Sequence, residues 1–210
     1  MANKKNKVNF LCSACGDDFV KWHGQCPSCK EWGTLSEFKI LGNKSVKRSK
    51  LDYRDYKSLN DILDSDPGER ITTSILEADR VLGGGLLPGS LLLLGGSPGV
   101  GKSTLALHIC SGVNKPTLYV SAEESEQQVA IRAKRINVKS DNLNLSSEND
   151  LNGILTHIDR ISPALVVIDS IQTIINTDLD SLPGSPSQIR DCGQKFLEVS
   201  KQNNVIIIIV

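Results

Sequence analysis

The chain has 210 residues, 39% of them hydrophobic and 23% charged, with 24 basic side chains against 24 acidic ones. It is long enough to bury the core of one domain beside a smaller module, and its zero net charge excludes a polycation that grips nucleic acid by bulk charge. The balance is uneven along the chain: residues 1–50 hold ten Lys or Arg against four Asp or Glu and the remainder 14 against 20, which suggests two parts with different partners.

The first residues, Met1 to Lys7, are basic but lead into no apolar segment, so no secretory signal is expected. The longest apolar stretches, around Leu86–Leu94 and over Val205–Val210, fall short of the ~18 residues that a membrane-spanning helix needs. A cytoplasmic protein without a membrane partner is expected. Its six cysteines then read as ligands or core residues rather than disulfides.

Four of them come early, as Cys12-x-x-Cys15 and Cys26-x-x-Cys29. Each pair is spaced to curl into a knuckle whose backbone N–H groups point at sulfur, and two knuckles supply the four thiolates that tetrahedral Zn²⁺ prefers. A zinc ribbon is therefore expected over residues 8–38, with the metal supplying folding energy that so small a module cannot gain by burial. Four sulfurs leave no open coordination position, which makes the metal structural and His23 a surface residue. Residues 39–66 turn polar and basic, with Lys44, Lys47, Arg48 and Lys50 among Gly, Asn and Ser. They read as a tether, solvated or touching a phosphate backbone.

Residues 67–210 carry the strongest signal. An apolar strand at Leu91–Leu94 runs into Gly96-Ser97-Pro98-Gly99-Val100-Gly101-Lys102-Ser103-Thr104 and then a helical segment. This is the phosphate-binding loop in its strand–loop–helix context. Glycines let backbone N–H groups wrap the phosphates, Lys102 reaches the β- and γ-phosphates, Ser103 ligates Mg²⁺, and Thr104 meets the α-phosphate. Further apolar strands, Thr117–Ser121 and Leu165–Ile168, end at Glu123 and Asp169. Such strands alternating with helices predict an α/β fold with a parallel sheet covered on both faces, and ligands bind beyond the carboxyl ends of its strands. Asp169 is the candidate that holds Mg²⁺ through water. Glu123 is the candidate base that orients and deprotonates the attacking water, the alternative being a carboxylate that merely favours a helix start. His108, His157, Cys110 and Cys192 read as structural.

Beyond these motifs the chain carries Trp22, Gly24 and Trp32-Gly33-Thr34 in the cysteine module. Later come Asp79-Arg80-Val81-Leu82-Gly83-Gly84-Gly85, Pro88-Gly89-Ser90, Tyr119-Val120-Ser121-Ala122-Glu123-Glu124-Ser125, Gln128, Arg132, Ala133, Ile168-Asp169-Ser170-Ile171-Gln172-Thr173 and Pro183–Arg190. On these residues it resembles the bacterial RadA (Sms) family, RecA-related ATPases of DNA repair and recombination, from Phe10 to Val210. The resemblance implies a RecA-like core that uses ATP and forms a homo-oligomeric ring on single-stranded or branched DNA, acting with a RecA-type recombinase. It implies that the strand at Val205–Val210 lies between the strands of the phosphate loop and of Asp169. It also implies that the segment after Asp169 faces the channel of the ring, making Gln188 and Arg190 candidate DNA contacts; on the residues alone, Pro, Gly and Ser there describe any mobile connection.

Trp22 and Trp32 read as packing beside the zinc site in preference to stacking on bases. The family's later features, a sensor residue, a Lys-Asn-Arg-Phe-Gly motif and a Lon-like domain, do not occur, so a core truncated after its last strand is expected. Two other functions fit the residues: a non-catalytic remnant that binds zinc and nucleotide, and a regulatory ATPase gating a protein partner with the ribbon as adaptor.

Overall fold

A computed structural model of the chain describes residues 8–39, 58–60, 69–138, 140–179 and 181–210. The chain divides into two compact units, the first within 1–67 and the second comprising nearly all of 68–210. Most of the segment read as a tether over 39–66 lies outside the described residues.

The first unit is a three-stranded antiparallel sheet of β1 (Val8–Cys12), β2 (Asp18–Phe19) and β3 (Leu35–Lys39), in the order β2-β1-β3. Phe10 faces Phe19 across one ladder, and Cys12 faces Leu35 across the other. The buried cluster consists of Cys12, Cys26 and Leu35, with Phe10, Cys15, Phe19 and Cys29 partly buried against it. The cysteines are themselves the core.

The second unit is a parallel sheet of β4 (Leu91–Leu93), β5 (Thr117–Ser121), β6 (Leu143–Ser146), β7 (Leu165–Asp169) and β8 (Ile206–Ile209), in the order β4-β8-β7-β5-β6. Helices α1 (Leu76–Val81), α2 (Lys102–Gly112), α3 (Glu126–Arg135), α4 (Leu151–Ile161) and α5 (Pro186–Asn203) lie between the strands in sequence. Successive strand residues point to opposite faces, and both faces are covered. Tyr119, Val167, Ile206 and Ile208 pack with Leu107 and Cys110 of α2 and Val129 of α3. Val120, Val166, Ile168, Ile207 and Ile209 pack with Ile154 and Ile158 of α4 and Cys192 and Phe196 of α5. Double coverage explains why β5, β7 and β8 read as unbroken apolar runs.

β4 departs from that pattern. Its apolar composition predicts a strand covered on both faces, yet among the described residues it is an edge strand, and Leu93 is 75% exposed. β8 lies between β4 and β7, as the RecA-like resemblance implies. The strand ends are level: Leu93 pairs with Ile209, Ile209 with Ile168, Ile168 with Val120, and Asp169 with Ser121. The loops that follow β4, β5 and β7 therefore leave the sheet along one edge.

Candidate functional site

The ribbon's two knuckles are copies of one backbone pattern. The Gly16 N–H donates to the Cys12 carbonyl at 2.8 Å and the Cys12 N–H to the Asp17 carbonyl at 2.9 Å; Lys30, Cys26 and Glu31 repeat both bonds at 2.9 Å. The pattern needs a left-handed residue at its fourth step, supplied by Gly16 (φ 77°) and by Lys30 (φ 61°). All four sulfurs lie within 4.8 Å of one another, with Cys15–Cys26 at 3.6 Å and Cys12–Cys29 at 3.7 Å. A Zn–S bond of 2.3 Å in tetrahedral geometry puts sulfurs about 3.8 Å apart, so the donor set fits zinc.

Electrostatics within the set agree with that fit. Burial raises the Cys12 thiol, but the Thr34 hydroxyl and the Cys15 and Ala14 N–H groups outweigh it and hold Cys12 at about 6. The Asp17 N–H lowers Cys15, while burial and the neighbouring sulfurs of Cys12, Cys26 and Cys29 drive it up to about 12. One thiolate forms readily and the next resist; a divalent cation removes that repulsion.

At the edge of the parallel sheet, Gly99 (φ 77°) and Gly101 (φ 100°) turn the phosphate loop through left-handed backbone. A Cβ at Gly96 would lie 3.1 Å from Val100 Cγ1, whereas at Gly99 or Gly101 it would meet nothing within 4 Å. The loop is tight inside and open outside. The Lys102 ammonium donates to the carbonyls of Gly96 at 2.9 Å and Ser97 at 3.2 Å, and so lies across the loop. α2 begins directly at Lys102 without a side-chain cap, which leaves its first-turn N–H groups to a ligand.

The acidic residues follow β5 and end β7. The Ser170 hydroxyl donates to Glu123 Oε1 at 2.8 Å. The Tyr119 hydroxyl donates to Asp169 Oδ2. Arg132 of α3 donates through Nη2 to the Tyr119 oxygen at 3.3 Å and pairs through Nη1 with Glu124 Oε2 at 2.6 Å, while its Nη2 lies 3.9 Å from Asp169 Oδ2. Burial, reinforced by Asp169, raises the Tyr119 phenol far above its ordinary range, so it stays protonated. The Ser125/Gln128 capping box fixes the start of α3 and with it the reach of Arg132. Sequence reasoning gave Tyr119 and Arg132 no role. The available signal was the phenol hydroxyl at the centre of a wholly buried strand, which requires a partner.

Other expectations fare differently. Gln188 is 1% exposed: its carbonyl accepts the Asn176 N–H at 2.8 Å, and its amide donates to the carbonyls of Asn176 and Ser181, both at 3.1 Å. It clamps the loop before α5 and is not presented to DNA, because its hydrogen-bonding groups are engaged within the protein. Arg190 is exposed. Trp22 and Trp32 are 61% and 73% exposed rather than packed at the metal centre, and a Cβ at Gly24 would lie 3.6 Å from each ring. His23 is exposed with its ring edge-on to Phe19. His108 is exposed on α2, and His157 contacts Ser146 at 3.2 Å. Cys110 and Cys192 are fully buried core residues.

Comparison with known proteins covers both units. Residues 62–210 match the AAA domain family, and residues 10–37 match the rubredoxin metal binding domain. The chain is 41% identical over 217 residues to the DNA repair protein RadA of Listeria monocytogenes, covering all of this chain and 47% of that protein. It is 42% identical over 212 residues to RadA of Rickettsia bellii (98% and 46%) and 40% identical over 218 residues to RadA of Escherichia coli (99% and 47%). The chain spans about half the length of the curated relatives it matches.

Proposed function

The chain belongs to the AAA domain family, and on that premise we propose that its second unit binds ATP with Mg²⁺ and hydrolyses it in the service of DNA repair. The observation that carries this reading is the level register of β4, β8, β7 and β5, which brings Lys102, Glu123 and Asp169 to one edge of the sheet. The backbone of Gly96, Ser97, Pro98, Gly99, Val100 and Gly101 wraps the phosphates. Lys102 leaves its two loop carbonyls for the β- and γ-phosphates, and Thr104 meets the α-phosphate. Ser103 and, through water, Asp169 hold Mg²⁺, which when bound neutralises charge building on the γ-phosphoryl oxygens. Glu123 orients the attacking water and takes its proton. Cys12, Cys15, Cys26 and Cys29 hold structural Zn²⁺.

The relatives are DNA repair proteins by name, and single-stranded or branched DNA is the substrate we assign. Arg190 remains a contact candidate, the assembly is a homo-oligomeric ring, a RecA-type recombinase is the partner, and the site of action is the cytoplasm. A second reading, a regulatory ATPase with the ribbon as adaptor, draws on the exposure of Val20, Trp22 and Trp32. The two separate by whether single-stranded DNA or a protein stimulates hydrolysis. Lys102→Ala is expected to lower turnover at least about a hundredfold with zinc content unchanged; undiminished turnover would overturn the nucleotide assignment.

A further inference from the structure

Glu123 and Glu124 follow β5, and each is strapped to the end of β7 by a different route. The first strap is short, from Glu123 Oε1 to the Ser170 hydroxyl at 2.8 Å. The second runs from Glu124 through Arg132 and Tyr119 to Asp169, with contacts of 2.6 Å and 3.3 Å on either side of the guanidinium and a phenol hydrogen bond at its end. Tyr119 is fully buried, and the side chains of Arg132 and Asp169 are 18% and 13% exposed. The phosphate-loop chemistry explains neither Arg132 nor Tyr119.

Direction along the second strap follows from its donors. A guanidinium only donates, so the Tyr119 oxygen accepts from Arg132 and its proton goes to Asp169 Oδ2. That engages one oxygen of Asp169 with the protein and leaves the other for a metal-bound water. The same guanidinium lies 3.9 Å from Asp169 and 2.6 Å from Glu124, and so bridges the two carboxylates. Its planar fork serves both sides at once, which a lysine ammonium does less well.

We propose that Arg132 and Tyr119 are positioning residues for hydrolysis, holding Asp169 and the loop that carries Glu123 in one frame. The inference rests on the hydrolytic reading given above. It is tested with Arg132→Gln, Arg132→Lys and Tyr119→Phe in the full chain, reading kcat and KM for ATP, Mn²⁺ affinity in the presence of ADP by electron paramagnetic resonance, and thermal midpoint. Outer partners of metal-site ligands carry roughly 10–100-fold effects, so Arg132→Gln is expected to lower kcat by that range with KM within about twofold. Arg132→Lys recovers part of the loss. Tyr119→Phe lowers kcat about tenfold and weakens Mn²⁺ severalfold.

Normal turnover and Mn²⁺ affinity in these variants, beside an active wild type, would overturn the inference and leave the hydrolytic reading intact. So would losses of kcat, KM and thermal midpoint that move together, the mark of an ordinary structural ion pair. A wild type that binds Mn²⁺ and ADP and responds to Tyr119→Phe but hydrolyses nothing would overturn hydrolysis while keeping Asp169 under Tyr119. A wild type without turnover and indifferent to Tyr119→Phe removes both.

Discussion

The ribbon and the nucleotide core each hold a small set of ligating groups in register, and they do so with opposite resources. In the ribbon the ligands are the interior: Cys12 and Cys26 are each 1% exposed, and the buried cluster adds only Leu35 to them. In the core, two apolar clusters fill both faces of the sheet, and Lys102, Ser103 and Asp169 sit at its rim, half-buried. A site made of its own core depends on its ligand to fold; a site mounted on a finished core does not.

Metal removal tests this contrast most severely. Stripping zinc with a chelator is expected to unfold residues 8–39, read by proteolysis and tryptophan fluorescence, while β4–β8 keep their thermal transition. Structural zinc contributes about 10–16 kcal/mol in comparable small modules. A ribbon that stays protected without metal would break the comparison. The converse is Phe196→Ala, which empties a fully buried position on α5 and is expected to cost the core about 3–5 kcal/mol by denaturant titration with zinc still bound. Gly112→Ala is next: its Cβ would fall 1.8 Å from the Thr73 carbonyl oxygen, and moving that backbone is expected to cost about 1–3 kcal/mol.

A smaller effect of opposite sign is expected at Lys30, held in left-handed backbone at φ 61°. Lys30→Gly relieves about 1 kcal/mol and should tighten zinc severalfold in a chelator competition, because folding and binding are one event there. The smallest is a pH effect on the core. The Thr72 hydroxyl, then the Thr73 N–H and hydroxyl, hold the Asp79 carboxyl below the usual carboxylate range. A depressed folded value stabilises at neutral pH and loses that contribution as acid protonates the group. The stability gap between wild type and Asp79→Asn should therefore close below about pH 4.

Legibility followed sequence distance. The cysteine knuckles and the phosphate loop are local patterns whose chemistry dictates residue type and spacing, so Cys12–Cys29 and Gly96–Thr104 are readable directly. β5, β7 and β8 are readable because double burial keeps charged residues out of them until Asp169 ends β7. β6 escaped notice since Leu143–Ser146 is short and alternating, at the far edge of the sheet. Leu91–Leu93 misled in the other direction, because leucines at an edge spell the same as leucines in a core. Gln188 also misled: among Pro, Gly and Ser it reads as part of an open loop, yet its amide caps the backbone of Asn176 and Ser181. The Arg132–Tyr119–Asp169 strap joins a helix to two strands and has no local spelling.

The position of β8 governs the order in which this molecule can assemble. β5 finds β6 and β7 nearby in sequence, but among the described residues the one ladder neighbour of β4 is β8, with Leu91 opposite Ile207. During synthesis the strand beneath the phosphate loop waits unpaired until residues 206–209 emerge, and only then do the separate halves of the sheet join. Such a late, distant contact slows folding and prolongs the exposure of Leu91–Leu93 to other strands. Deleting the four residues 206–209 would remove an interior strand and cut β4 off from β7, β5 and β6.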